Sequence, residues 1–261
     1  MAEPGVPAGL VVWAEDETES DARKLALRLG VPFLVGEDPP GEDRCRWLLF
    51  FEEDTLFLHN HEHDFNPIAV DYLESDFQRR WKGISRNDLL LKAIGVKKGV
   101  RTVCDPTCGL GYDAFLFATL RDLEVTTCER NPVVAELVMN ALLRIKDMGR
   151  FEEFPLYFHF GDGIRFLEAG GERSFDAVYI DPMYPREDGR SAKQKKEMLL
   201  LRDLVGHDQD APALFAAAWR AARRRVVVKR PDDAEPIVGA GREPDAVIEG
   251  KTVRYDIYLR Q

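Results

Sequence analysis

Short apolar runs alternate with amphipathic segments along the chain, and the alternation changes character near residue 88. Before that point the pattern predicts four strands, at 10–13, 31–35, 47–51 and 55–59. It also predicts one helix, at 20–29. The last two strands are separated by a short acidic turn, which is typical of a hairpin. The first part of the chain is therefore predicted to form a small α/β lobe.

After residue 88, strand and helix patterns alternate. Strands are predicted at 100–104, 123–128, 156–160, 175–180 and 225–229, and helices at 112–121, 132–148, 193–205 and 212–223, with a further short helix after Gly163. Such alternation is typical of a parallel sheet covered by helices. Two more apolar segments, 246–249 and 254–259, predict a closing hairpin. We therefore expect a mostly parallel seven-stranded sheet with a C-terminal antiparallel hairpin, and two domains, 1–75 and 76–261.

The charge of the chain is distributed unevenly. The formal net charge is −10, but residues 1–75 contain 17 acidic and 5 basic side chains, so the rest of the chain carries +2. Basic clusters occur at 79–82, 190–196 and 220–230. A local basic face is sufficient to dock a phosphate backbone, although each cluster is also compatible with an ordinary solvated helix face.

Several classes of protein are excluded by what the sequence lacks. The longest apolar run is too short to cross a bilayer, and the N-terminus does not resemble a signal peptide. The four cysteines form neither a CxxC pair nor a zinc-like spacing with histidine. We expect a cytoplasmic protein with reduced cysteines, no membrane partner and no metal.

Acidic residues follow four of the predicted parallel strands. They are Asp105, Glu129, Asp162 and Asp181. Ligands of open parallel sheets bind beyond the carboxyl ends of the strands, so these side chains are candidates for a binding site.

A glycine-rich turn follows the first of these strands and suggests a nucleoside cofactor. Gly109 and Gly111 let a ligand approach the backbone at a helix start, and Glu129 has the spacing of a carboxylate that accepts ribose hydroxyls. These features suit a nicotinamide nucleotide or S-adenosylmethionine. Asp105 favours the second, because a carboxylate attracts a sulfonium and repels a pyrophosphate. Asp162 is placed to meet the adenine amino group or to cap a helix.

The segment Asp181-Pro-Met-Tyr184 predicts methyl transfer to a conjugated amine. The lone pair of such an amine is delocalised, so the site must accept its hydrogens and fix its plane. A carboxylate at the strand end, a stiffening proline and a stacking aromatic ring meet these needs. Asp181 and Tyr184 are therefore the predicted catalytic residues.

Six blocks of the sequence, taken together, resemble the bacterial RsmJ family of ribosomal RNA (guanine-N2)-methyltransferases. They span 105–115, 128–134, 179–185, 191–198, 226–231 and 255–258, and the resemblance covers about residues 68–259. It implies a Rossmann-like class I methyltransferase fold, S-adenosylmethionine as cofactor, and methylation of a guanine N2 near the 3′ end of 16S rRNA in the small ribosomal subunit.

Carried over position by position, the resemblance assigns cofactor contacts to Tyr112, Asp113, Glu129, Arg130, Asp162, Gly163 and Asp181. The family often has Arg-Asp where this chain has Tyr112-Asp113, and a serine pair where it has Asp162-Gly163. We also expect basic residues to contact RNA phosphates. These are Arg79, Arg80, Lys195, Lys196, Lys229 and Arg230.

Three alternative functions remain open from the residues alone. A DNA adenine or protein amide N-methyltransferase uses the same strand-end motif, and acceptor assays separate it from an RNA enzyme. A nicotinamide-dependent oxidoreductase shares the glycine turn, and its bound ligand absorbs near the nicotinamide band. A non-catalytic RNA-binding module would bind ribosomal subunits without consuming the cofactor.

Overall fold

The structure is a computed structural model that describes residues 5–16, 19–120, 122–150, 154–183, 196–206, 210–232 and 241–260. The described residues of Met1–Asp71, Asn131–Gly149 and Gly189–Gly206 form one unit, and those of Tyr72–Arg130, Arg150–Asp188 and His207–Gln261 form a second. The division into two contiguous domains at residue 75 stays a prediction.

Within the described residues the chain forms eleven strands and eight α-helices. The strands are β1 (Leu10–Ala14), β2 (Phe33–Val35), β3 (Trp47–Glu52), β4 (Thr55–Asn60), β5 (Thr102–Asp105), β6 (Glu124–Glu129), β7 (Leu156–Phe160), β8 (Phe175–Ile180), β9 (Ala222–Pro231), β10 (Ala246–Glu249) and β11 (Val253–Leu259). The helices are α1 (Ser20–Leu29), α2 (Ser75–Lys82), α3 (Leu89–Ile94), α4 (Tyr112–Ala118), α5 (Pro132–Asp147), α6 (Gly163–Gly170), α7 (Lys196–Val205) and α8 (Ala211–Ala221).

The first unit contains a four-stranded sheet in the order β2-β1-β3-β4. Strand β1 pairs in parallel with β2 and β3, and β3 forms the predicted antiparallel hairpin with β4. Its turn places Glu53 at a φ of 53°, in the left-handed region. Helix α5 packs beside the hairpin, because the side chain of Asn140 accepts from the Leu56 N–H at 3.0 Å and donates to the Asp54 carbonyl at 2.8 Å.

The second unit contains the predicted seven-stranded sheet, in the order β10-β11-β9-β8-β5-β6-β7. The five strands from β9 to β7 are parallel, and β11 is antiparallel to both β9 and β10. This confirms the fold class. The core on one face joins Val178, Ile180 and Val226 to Leu167 of α6 and Phe215 of α8.

Two helices were missed in the sequence, and two were extended too far. Helix α2 is eight residues long with only two large apolar residues, Phe77 and Trp81, and α3 is only six residues long, so neither gives an extended apolar pattern. The helix predicted over 112–121 ends at Ala118. The helix predicted to reach residue 223 ends at Ala221, because Ala222 already pairs with Phe175 of β8. Sheet pairing here overrides local helix propensity.

The order of strands reverses between β5 and β8. From β5 the chain adds β6 and β7 on one side, then returns to place β8 and β9 on the other. Such a switch point opens a crevice at the carboxyl edge of the sheet, where ligands of α/β proteins bind. Among the described residues, no helix has the length and apolar character needed to span a membrane.

Candidate active site

Four acidic side chains lie at the carboxyl edge of four neighbouring strands. Asp105 ends β5 and Glu129 ends β6, while Asp181 comes directly after β8 and Asp162 two residues after β7. Asp105 and Asp181 therefore flank the switch point. The structure brings together the acids that the sequence placed at strand ends.

Asp105 is held by the loop that follows it. The backbone N–H and the hydroxyl of Thr107 donate to Asp105 Oδ1 at 3.0 and 2.9 Å. The side chain is almost completely buried, and this burial, aided by Asp113 and Asp181, raises the pKa of the Asp105 carboxyl to about 7 despite the Thr107 hydrogen bonds. The charge of Asp105 therefore changes near neutral pH.

Thr107 also connects the two strands that flank the switch point. Its Oγ1 accepts the backbone N–H of Asp181 at 2.9 Å while donating to Asp105. The hydroxyl thus fixes the chain at Asp181 against the end of β5. Sequence reasoning did not select Thr107, because a threonine in a loop carries no spacing signal of its own.

The glycine turn has one open and one crowded position. The Gly109 N–H donates to Glu129 Oε2 at 2.9 Å, and a Cβ added at Gly109 would have no atom within 4 Å. A Cβ at Gly111 would lie 2.3 Å from Tyr72 Oη, whose hydroxyl donates to the Leu110 carbonyl. Both glycines have positive φ, 53° and 75°. Gly111 is therefore required by packing, whereas open space lies beside Gly109.

A lysine connects two of the acids. Lys229 Nζ donates to Asp113 Oδ2 at 2.7 Å and to Asp181 Oδ2 at 2.8 Å, and Tyr179 Oη donates to Asp113 Oδ2 at 2.7 Å. Burial acts to raise the pKa of Asp113, but Lys229 and Tyr179 outweigh it and hold this pKa below its ordinary value. Burial acts to lower the pKa of Lys229, but Asp181 and Asp113 raise it above its ordinary value.

Asp162 and Gly163 have clear local roles at the start of α6. Asp162 caps the helix by accepting the Arg165 N–H at 2.9 Å. A Cβ at Gly163 would lie 2.4 Å from the Pro106 carbonyl oxygen, so the glycine lets α6 approach the loop after β5. Their contacts with a cofactor stay predictions.

Tyr112 and Arg130 lie beside this loop. The ring of Tyr112 packs edge-on against Phe77, with centroids 4.9 Å apart, and against Tyr72 at 5.7 Å. Arg130 follows β6 directly and forms an ion pair with Asp210, which precedes α8. Their assignment to the cofactor also stays a prediction.

Helix α2 presents basic side chains next to an aromatic cluster. Trp81 Nε1 donates to the Tyr72 carbonyl at 3.1 Å, and its ring packs edge-on against Phe154 at 5.7 Å. Arg79 and Arg80 are exposed, and Arg79 pairs with a neighbouring aspartate, Asp76. Phe77 of this helix packs against Tyr112, the neighbour of Asp113 in α4, so the helix lies beside the candidate site, and the positive charge of Arg80 helps to lower the pKa of Asp113.

Two of the predicted phosphate contacts need correction. Arg230 is 1% exposed and donates from Nε to the buried Asp256 at 2.5 Å, so its guanidinium cannot reach a phosphate. Lys229 is committed to Asp113 and Asp181 inside the site. The side chain of Lys196, together with Tyr184 and Lys195, lies outside the described residues.

The sequence placed Lys229 against RNA phosphate, whereas the structure places it against two carboxylates of the site. The sequence also did not identify Tyr179. Adjacent residues of a strand point to opposite faces, so Lys229 and Arg230 cannot share one surface. Tyr179 lies on β8 two residues before Asp181, which directly follows the strand, and this spacing favours the same side of the sheet for both. The alternation along β8 and β9 is the signal that could have identified this cluster.

The arrangement fits S-adenosylmethionine better than a pyrophosphate nucleotide. The open space at Gly109 lies beside Glu129, and three further carboxyls, from Asp105, Asp113 and Asp181, surround the switch point. This acidic character attracts a sulfonium and an ammonium. Among the described residues, no three His, Cys, Asp or Glu side chains are grouped so as to hold a metal ion.

Comparisons with known proteins support the same class. Residues 39–260 match the family model "Putative SAM-dependent methyltransferase". The ribosomal RNA small subunit methyltransferase J of Shewanella oneidensis is 44% identical over 218 residues, covering 81% of this chain and 86% of the relative. The protein of that name in Coxiella burnetii is 42% identical over 243 residues, covering 92% of each.

A solved structure has a similar fold over nearly the whole chain. It is a SAM-dependent methyltransferase from Neisseria gonorrhoeae, 30% identical, with a TM-score of 0.68. The alignment covers 96% of this chain and 95% of that one.

Proposed function

The chain belongs to the ribosomal RNA small subunit methyltransferase J family, and from this premise we propose that it methylates the exocyclic N2 of one guanine near the 3′ end of 16S rRNA. It is an S-adenosylmethionine-dependent rRNA methyltransferase. The observation that carries the assignment of the site is the clustering of Asp105, Glu129 and Asp181 at the strand ends beside the open glycine turn.

The cofactor is proposed to lie along the carboxyl edge of β5 and β6. Glu129 would accept the ribose hydroxyls, and Asp162 would approach the adenine amino group. Gly109 leaves room for the nucleoside, and the carboxyl of Asp105 would favour the cationic end. When bound, S-adenosylmethionine supplies an electrophilic methyl group on a sulfonium. Contacts from Gly111, Tyr112, Asp113, Arg130 and Gly163 complete the proposed set.

Asp181 is proposed to be the catalytic residue that touches the amine. Its carboxylate accepts an N–H of guanine N2, which orients the lone pair. The N2 lone pair forms the new C–N bond as the C–S bond breaks, and the surplus N–H proton passes to Asp181. Tyr184 is proposed to stack on the base and hold its plane.

The RNA is proposed to approach along α2. Arg79 and Arg80 are exposed there, and they would contact phosphates, as would Lys195 and Lys196. Because the N2 edge of a paired guanine is not accessible to a deep pocket, we expect the base to be unpaired or splayed out. We place the reaction in the cytoplasm, where small ribosomal subunits are found.

An acceptor competition tests the substrate class. The protein is incubated with methyl-labelled S-adenosylmethionine and, separately, small subunits, naked 16S rRNA, duplex DNA and a protein mixture. We expect label in RNA alone. Label in DNA or protein would support the rival N-methyltransferases. Binding of subunits with no label in any acceptor would support a non-catalytic module.

A further inference from the structure

We infer that Lys229 is a positioning residue, whose ammonium group fixes the Asp181 carboxylate in the orientation that accepts the N–H of the substrate amine. The inference rests on the proposed function, since it assumes that Asp181 faces the amine. It replaces the contact with RNA phosphate that the sequence alone suggested for Lys229.

The geometry places Lys229 between two carboxylates. Its Nζ is 2.7 Å from Asp113 Oδ2 and 2.8 Å from Asp181 Oδ2, and its side chain is 23% exposed. Charge-assisted hydrogen bonds of this length are strong and directional. Two of the three donors of the ammonium group are therefore used inside the site, and the side chain is held there.

The far end of this bridge is itself anchored. Asp113 lies in the first turn of α4 and also accepts the Tyr179 hydroxyl at 2.7 Å. Tyr179 is fully buried on β8, two residues before Asp181. The bonds therefore run from β8 through Asp113 and Lys229 back to the end of β8, which makes the position of the ammonium group well determined.

The main chain of Asp181 is fixed separately. Its N–H donates to Thr107 Oγ1 at 2.9 Å, so Thr107 holds the backbone while Lys229 holds the carboxylate. Because both its backbone and its carboxylate are held, Asp181 is oriented before the substrate binds. Such preorganisation of a catalytic group favours the reaction.

Lys229 stays protonated across the working pH range. The two carboxylates raise its pKa above the ordinary lysine value even though burial opposes them. It therefore acts through its charge and hydrogen bonds, and does not accept a proton from the amine.

Steady-state kinetics of Lys229→Met and Lys229→Arg distinguish positioning from phosphate binding. For Lys229→Met we expect kcat to fall by about 100-fold, with the KM for small subunits changing less than about threefold. The dependence of KM on salt should not change. The kcat of Lys229→Arg should be at least about tenfold higher than that of Lys229→Met, because arginine restores the positive charge. A raised KM with a weaker salt dependence and unchanged kcat would overturn the inference.

A second readout does not depend on turnover. In cofactor-free protein labelled with 13C at the aspartate carboxyls, Lys229→Met should raise the pKa of Asp113, because burial would no longer be opposed by the lysine. The acidic limb of the kcat profile should move to higher pH in the same variant. If kcat falls while the titration of Asp113 and the pH profile stay as in the wild type, Lys229 is only structural and the inference is wrong.

The two proposals fail in different ways. If the wild type labels DNA or protein amines but no RNA, the proposed function is wrong, and the kinetics are repeated with the acceptor that was labelled. If the wild type labels small subunits but Lys229→Met matches its kcat, the proposed function stands and the positioning role is lost. Thermal denaturation of both variants confirms that they are folded.

Discussion

At the scale of single residues, Asp105 links the site to pH. Its pKa of about 7 means that the buried carboxyl is largely protonated below neutral pH and ionised above it. A cationic cofactor favours the ionised form, so its affinity should rise as pH increases through 7. We expect the dissociation constant of S-adenosylmethionine to increase by up to about tenfold between pH 8 and pH 6, measured by calorimetry. Asp105→Asn should remove this dependence, and an equal slope in both proteins would contradict the role of Asp105.

The catalytic role proposed for Asp181 predicts that its replacement affects methyl transfer far more than cofactor binding. Replacing Asp181 with Ala should abolish methyl transfer, because the amine loses its acceptor, while the affinity for S-adenosylmethionine changes by less than about tenfold. Single-turnover rates and calorimetry measure the two effects. Activity equal to that of the wild type would exclude Asp181 from catalysis.

Gly109 and Gly111 form a matched pair. An alanine at Gly111 meets Tyr72 Oη and keeps a φ of 75°, so we expect a loss of stability of about 2 kcal/mol or more. An alanine at Gly109 meets no atom and should cost only about 1 kcal/mol from its positive φ. Gly109→Ala should nevertheless weaken cofactor binding, because its methyl group enters the open space. Chemical denaturation and calorimetry measure both, and unchanged binding in Gly109→Ala would place the cofactor elsewhere.

At the scale of elements, α2 is the part of the site that the sequence prediction missed, because its one apolar pair, Phe77 and Trp81, spans only a single turn. The helix has no buried residue, and Trp81 anchors it through Phe154 and the Tyr72 carbonyl. Its basic side chains were recognised as a cluster, but their position beside Asp113 depends on long-range packing. Such contacts leave no spacing in the sequence.

The proposed RNA contacts on α2 predict a salt effect. Arg80→Gln should raise the KM for small subunits and reduce the slope of log KM against log salt by about 0.7 to 0.9, the value of one phosphate contact. The rate at saturation should stay the same, because the contact positions RNA and does not touch the amine. An unchanged slope would remove Arg80 from the RNA surface. Lys97→Gln, on the short 3-10 turn after α3, is the comparison variant.

The strands show how accurately local sequence patterns predict the bounds of an element. The bounds of β6, β7 and β8 agree with prediction to within one residue, because apolar runs bounded by turns define buried strands well. Strand β9 is longer than predicted, since its pairing with β8 and β11 recruits the arginines at its start. Side chains alternate between the two faces along β9, so Lys229 faces the site while Arg230, on the opposite face, contacts Asp256.

At the scale of the whole molecule, the topology made the site predictable. Parallel strands end at one edge, so acids after successive strands had to converge near the switch point. The bonds between them were not predictable, because Thr107, Lys229 and Tyr179 meet only when β5, β8 and β9 are packed together. The stacking role of Tyr184 stays a prediction, since that residue lies outside the described residues.

The net charge of −10 is compatible with an RNA substrate because the acidic residues are concentrated in 1–75. The sequence from residue 76 onward, which contains the candidate site, carries a small positive charge. Local field governs the docking of a phosphate backbone more than the net charge of the molecule does.

The most direct test maps the methyl group itself. Small ribosomal subunits from cells lacking N2-guanine methylation near the 3′ end of 16S rRNA are incubated with the protein and labelled S-adenosylmethionine, then digested and analysed by mass spectrometry. We predict label on N2 of a single guanine in that region. Label on another atom or at another position, or no label despite measured cofactor binding, would contradict the proposed substrate.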